Sequence, residues 1–164
     1  MSKLISIIVA VADNQAIGFN NQLLTHISAD LKRFKKITDG HPVIMGRNTW
    51  FSLPKRPLPN RMNIVITNQP DEKFEGVVTA YSIDEAMASC PENEECFVMG
   101  GAMVYRQFFP IAQKLYLTRI HKTFEADTFF PEIKEDEWQT VDQVLVDNDE
   151  QAGLPYSFID LVRK

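Results

Sequence analysis

The sequence predicts a single α/β domain: a central, mostly parallel mixed sheet of about eight strands, a C-terminal antiparallel hairpin at one edge, and about four flanking helices. Three observations predict it. Short runs that are apolar throughout, as strands covered on both faces must be, alternate with segments of helical periodicity. The 164 residues, 45% hydrophobic and 24% charged, suit one full-sized core and carry no signature of disorder. The C-terminal tail then changes character, to two strand-like runs about a polar turn containing Gly and Pro.

The elements follow in order. "LISIIVAVA" (4–12) is the first strand, and "HISADLKRFKKI" (26–37) carries a helix over 28–37. "PVIMG" (42–46) is a strand leading into a short helix at 48–52, and "PKRPLPNR" (54–61) is a proline-stiffened surface loop. Strands follow at 63–67 and 76–81, a helix at 83–89, a strand at 96–100, a helix at 103–109 and a strand at 114–120. "WQTVDQVLVDND" and "LPYSFIDLVRK" form the terminal hairpin.

Composition bounds the function. A formal net charge of −5 and a pI near 5.2 argue against a nucleic-acid partner, which needs surplus Lys and Arg to displace counterions. The apolar runs are too short for a bilayer span, so a cytoplasmic protein with a small-molecule ligand and no membrane partner is expected; a monomer is expected as well. Cys90 and Cys96 show neither CxxC spacing nor a histidine cluster, so no metal site is expected. His26, His41 and His121 share no spacing typical of a metal site or a triad, and no serine sits in a GxSxG elbow.

Two strands end in glycine just before a helix, in "VIMGRNTW" (43–50) and "FVMGGAMVY" (97–105). Such junctions bring backbone N–H groups close to phosphate, and two of them suit a dinucleotide, although glycine is also common there for steric reasons alone. Arg47 and Thr49 add a guanidinium and a hydroxyl at the first junction, where a further phosphate would fit.

Asp30 is the anomaly. On a helix at 100° per residue it falls on the apolar stripe of Ile27, Phe34 and Ile37. With Ser28 as N-cap, Asp30 stands at the second helical position and answers the helix dipole; alternatively it faces a pocket walled by Ile27, Leu31 and Phe34, as its only ionisable group. Of the basic residues, most on 32–36 read as a solvated face, whereas Arg61 follows a rigid loop and is placed to grip a carboxylate.

Taken together, "AVADNQAIGFNNQLL", "ADLKRFK", "PVIMGRNTW", "RPLPNRMNIVIT", "VMGGAMVYRQF", "LYLTRI", "EADTFFP" and "YSFIDL" resemble the bacterial chromosomal type of dihydrofolate reductase over nearly the whole chain. The resemblance implies NADPH-dependent reduction of 7,8-dihydrofolate to tetrahydrofolate, with hydride passing to pteridine C6 and N5 protonated from water. It implies that Asp30 holds the 2-amino group and N3 of the pteridine, with Thr118 bonded to that aspartate. Ile8, Val9, Ala10, Leu31, Phe34, Leu53 and Leu58 match residues around the substrate rings. Arg61 matches the clamp on the glutamate α-carboxylate, with Lys35 and Arg56 nearby. For NADPH the matches are Ala10, Ile17, Gly18, Gly46, Arg47, Asn48, Thr49, Thr67, Asn68, Met99, Gly100, Gly101, Ala102, Met103, Val104, Tyr105 and Gln107, with Gly100 and Gly101 matching a pair joined by a cis peptide. Residues 12–27 correspond to a loop that closes over the nicotinamide, and Asp127 to a loop that contacts it. Antifolate inhibitors are implied as further ligands.

The chain also departs from the family pattern. Leu24-Thr25 stands for the usual Pro-Trp, Ser28 for Pro, Ala102-Met103 for a common Gly-Arg, and Asn68 for Ser or Arg. The lost indole predicts weaker substrate and antifolate binding, and the last two changes leave the NADPH preference resting on Arg47 and its neighbours. Two other readings compete: a pyrimidine reductase of riboflavin synthesis, and a noncatalytic nucleotide-binding module.

Overall fold

The computed structural model describes residues 3–18 and 25–164. Leu24 and positions 19–24 of the expected closing loop lie outside the described residues. In chain order the elements are β1 (Leu4–Ala12), β2 (Ala16–Gly18), α1 (Ser28–Thr38), β3 (Val43–Gly46), α2 (Arg47–Ser52), β4 (Asn63–Ile66), β5 (Val78–Ala80), α3 (Ile83–Ser89), β6 (Glu95–Val98), α4 (Ala102–Phe108), β7 (Lys114–Ile120), β8 (Thr128–Phe129), β9 (Trp138–Val146) and β10 (Tyr156–Arg163).

Eight strands form one sheet in the order β5-β4-β3-β6-β1-β7-β10-β9. Pairing is parallel from β5 through β7, and β10 runs antiparallel to both β7 and β9, so the terminal hairpin closes one edge as expected. Runs such as Ile5, Ile7, Val9 and Val11 are buried because helices cover both faces. On one face α3 and α4 bring Ala86, Val104, Tyr105 and Phe108 onto these β1 side chains. On the other, α1 and α2 set Phe34, Ile37, Trp50 and Leu53 against Ile8, Met45, Val65 and Phe97. Helix α3 is capped in the usual way, Ser82 accepting from the Glu85 N–H with Asp84 and Glu85 in the first turn.

Two details differ from the sequence reading. The N-cap of α1 is Ile27, without a side-chain bond, which makes Ser28 the first helical residue and Asp30 the third. Asp30 stays in the first turn, where the helix dipole still favours its charge. The β2–β8 ribbon, pairing Ala16 with Phe129 and Gly18 with Thr128, was not expected, because strands of two or three residues have no readable period. Among the described residues no helix is long and apolar enough to cross a membrane.

Candidate active site

The strand order decides where a ligand can sit. From β3 the chain passes through α2 to β4 on one side, and from β6 it passes through α4 to β7 on the other, beyond β1. The chain thus leaves the carboxyl ends of β3 and β6 in opposite directions, which is where an open α/β sheet usually has its ligand crevice. Both glycine junctions lie there, with Gly46 N–H donating to Gly100 O at 2.8 Å.

The close approach explains the glycines. A methyl group at Gly46 would stand 3.0 Å from Val104 Cγ2, and one at Gly100, whose φ is +119, would stand 3.3 Å from the Tyr105 ring. The Gly100-Gly101 peptide is cis. Gly46 and Gly101 are the N-caps of α2 and α4, and neither helix has a side-chain cap. Asn48, Thr49, Ala102 and Met103 flank these caps, Thr49 Oγ1 3.5 Å from where a Gly101 methyl would be. Met103 is 70% exposed and Gln107 is exposed, whereas Val104 is buried beneath Gly46. The donor set suits a phosphate-bearing dinucleotide: paired backbone amides at adjacent helix starts, with no acidic side chain on either first turn.

Next to this crevice, Ala10 of β1 and Thr118 of β7 are register partners and face α1. Thr118, 2% exposed, donates its hydroxyl to Asp30 Oδ1 at 2.5 Å. Burial pushes the Asp30 carboxyl above its ordinary pKa, against the opposing pull of the Thr118 bond and the Arg33 charge. Arg33 ties α1 to the sheet through Asp160 at 2.6 Å, its guanidinium 4.6 Å from the Phe158 ring centre. A residue of the supposedly solvated basic face therefore helps set the position of Asp30. Tyr105, buried and held protonated by its surroundings, donates to Ile8 O at 2.9 Å.

The walls are apolar. Ile8, Phe34, Leu53, Leu58 and Met99 belong to one cluster, and Leu31 leaves 46% of its surface exposed on the helix that carries Asp30. Val9 differs: its side chain packs in the cluster of the α4 face, so it offers the α1 side only backbone. Ile17 and Gly18 lie in the β2–β8 ribbon, where Asp127 N–H donates to Gly18 O at 3.2 Å. Just before it, Gln15 bonds Pro131 O at 2.9 Å and accepts from Arg119 at 2.7 Å, anchoring the entry to the expected closing loop.

Arg61 is set by its neighbours. Asn63 bonds Leu58 N–H, Leu58 O and Arg61 O, which shapes the proline loop from inside. The Arg61 guanidinium donates to Pro59 O at 2.9 Å and to Thr38 Oγ1 at 3.1 Å, and lies 5.9 Å from the Phe34 ring centre. Lys35 and Arg56 are exposed, Arg56 lying over Phe51 and Trp50.

Sequence reasoning missed Glu72. Because Gly46 pairs with Ile66, the next residues, Arg47 and Thr67, emerge side by side at the carboxyl ends of β3 and β4, with Asn68 exposed beyond them. Glu72 fills the space between them, accepting from Arg47 Nε at 2.9 Å on both oxygens and from Thr67 Oγ1 at 2.5 Å. Nothing in "QPDEKFEG" marks this glutamate apart from its charged neighbours.

Comparisons with known proteins agree on one family. The family model described as dihydrofolate reductase matches residues 4–163. The dihydrofolate reductase of Bacillus subtilis (strain 168) is 45% identical over 161 residues, 98% of this chain and 95% of the relative. That of Neisseria gonorrhoeae is 42% identical over 160 residues, 98% of each chain. Among solved structures, a dihydrofolate reductase from Enterococcus faecalis complexed with NADP(H) and RAB-propyl superposes with a TM-score of 0.89 at 36% identity, covering 98% of this chain and 96% of the other.

Proposed function

Because the chain belongs to the dihydrofolate reductase family, we propose that it reduces 7,8-dihydrofolate to tetrahydrofolate with NADPH, on the Asp30 side of the crevice between β3 and β6. The observation that carries this reading is the Thr118–Asp30 pair: one mostly buried carboxylate, facing an apolar wall beside two glycine junctions. NADPH supplies the hydride.

The chain's residues bind, orient and polarise. Asp30 presents a fixed acceptor to the 2-amino and N3 donors of the pteridine edge, and Thr118 holds the other side of that carboxylate so that it cannot turn away. Ionised Asp30 is costly where it lies, and pairing with a cationic pteridine edge relieves that cost, so binding favours the protonated, more electrophilic substrate. Ile8, Leu31, Phe34, Leu53 and Leu58 exclude water from the rings. Arg61 receives the α-carboxylate of the glutamate tail, and the amides beyond Gly46 and Gly101, with Thr49, hold the cofactor phosphates.

The test is loss of the near-ultraviolet absorbance of reduced nicotinamide when dihydrofolate is added to purified protein and NADPH. Asp30→Asn should lower kcat/KM at neutral pH by about a hundredfold or more, with part recovered at acid pH where substrate is protonated in solution. A folded protein without turnover, or a fully active Asp30→Asn variant, would refute the reading.

A further inference from the structure

Arg47 is the cation that the sequence sets beside a further phosphate, such as the 2′-phosphate that distinguishes NADPH from NADH, yet the structure pairs it with a carboxylate. Glu72 is not a loosely held surface partner. Its N–H donates to Gln69 O at 3.1 Å, and its carbonyl accepts from Tyr81 Oη at 2.8 Å, so its backbone is fixed at both ends. Its carboxylate takes three contacts from Arg47 Nε and Thr67 Oγ1, and only 19% of its side chain is exposed against 44% for Arg47. The Thr67 hydroxyl is committed as well, donating to Glu72 while accepting from Gln69 N–H at 3.1 Å.

This arrangement treats the two cofactors differently. A phosphate monoester arriving at Arg47 meets a guanidinium whose Nε edge is engaged, and it comes to rest close to a like charge. A free 2′-hydroxyl meets an acceptor it can donate to, the device that NAD-selective nucleotide folds use. We propose that Glu72 is a specificity-determining residue that narrows the preference for NADPH over NADH. This rests on the reading above, in which NADPH sets its phosphates at the Gly46 and Gly101 junctions, and on the sequence reading that leaves the NADPH preference to Arg47 and its neighbours.

Calorimetric titration of NADPH and NADH against the purified protein tests it independently of turnover. Glu72→Gln keeps the size and the acceptor for Thr67 but removes the charge. It should tighten NADPH by about tenfold and leave NADH unchanged or weaker, with the gain shrinking as salt is raised. Glu72→Ala should move the ratio the same way, and adding Arg47→Ala should abolish the gain. A ratio of dissociation constants that stays within about twofold of wild type in both Glu72 variants, or that moves toward NADH, overturns the proposal. If the wild-type protein then still oxidises NADPH with dihydrofolate, only the role of Glu72 has failed; if it does not, the parent reading has failed.

Discussion

Thr118, in strand β7, donates its hydroxyl to Asp30 Oδ1 in the first turn of α1 at 2.5 Å, across a sequence separation of 88 residues. This bond stabilises the ionised carboxylate against the burial that opposes it. Thr118→Val keeps the shape and removes the bond, so the Asp30 pKa should rise further. We expect kcat/KM for dihydrofolate to fall by about tenfold, the loss of one hydrogen bond to a charged group, with the pH profile displaced upward. A variant with the wild-type profile would show that the bond is incidental.

Asp30 should cost the unliganded protein stability. Its folded pKa is raised, so the stabilising contribution belongs to the protonated form; it is complete below the unfolded value of 3.8 and is lost as pH rises through the folded value. Asp30→Asn should therefore melt a few degrees above wild type at neutral pH, and the gap should close as pH falls toward 3.8. Thermal scans across pH decide it, and a variant that melts lower at neutral pH would contradict the sign.

Arg61 should be read through the tail of the substrate. Arg61→Met should raise KM for dihydrofolate by about tenfold to a hundredfold, because the α-carboxylate loses a charge-assisted pair. A pteridine substrate without glutamate should be reduced equally well by both proteins. Equal penalties for the two substrates would place the effect in the lost bonds to Pro59 and Thr38 instead.

Thr25 stands, partly buried, just ahead of α1. A hydroxyl there can hold water but lacks the apolar area of an indole, which is worth about 25 cal/mol for each Å² covered. Thr25→Trp should tighten both dihydrofolate and an antifolate. Unchanged Michaelis and inhibition constants would show that the position carries no binding energy.

Much of the fold was legible because its strands are buried on both faces. The run 4–12 is apolar almost throughout and 114–120 is apolar apart from Lys114, Thr118 and Arg119, and β1 and β7 have those bounds. The helix expected over 28–37 starts where α1 does; only its cap was off by one residue, because Ser28 is a good capping residue by type and the chain enters the helix through Ile27 instead. Asp30 was conspicuous as a charge on an apolar stripe, but Thr118 looks like any threonine in a strand, and its role came through family resemblance. Arg33 and Glu72 carried no local signal: each lies in a charged stretch, and its partner, Asp160 or Arg47, is distant in sequence.

The division has a physical cause. Periodicity, glycine placement and the misplaced carboxylate are properties of neighbouring residues, and the sequence alone determined from them an α/β domain with two phosphate-suited junctions and one anomalous acid. Which side chains meet is set by strand order and register, which bring Ala10 beside Thr118 and Gly46 beside Ile66. Only the tertiary structure decided that Asp30 rests on Thr118 and that Glu72 stands between Arg47 and Thr67, because those pairings depend on where the sheet folds distant segments together.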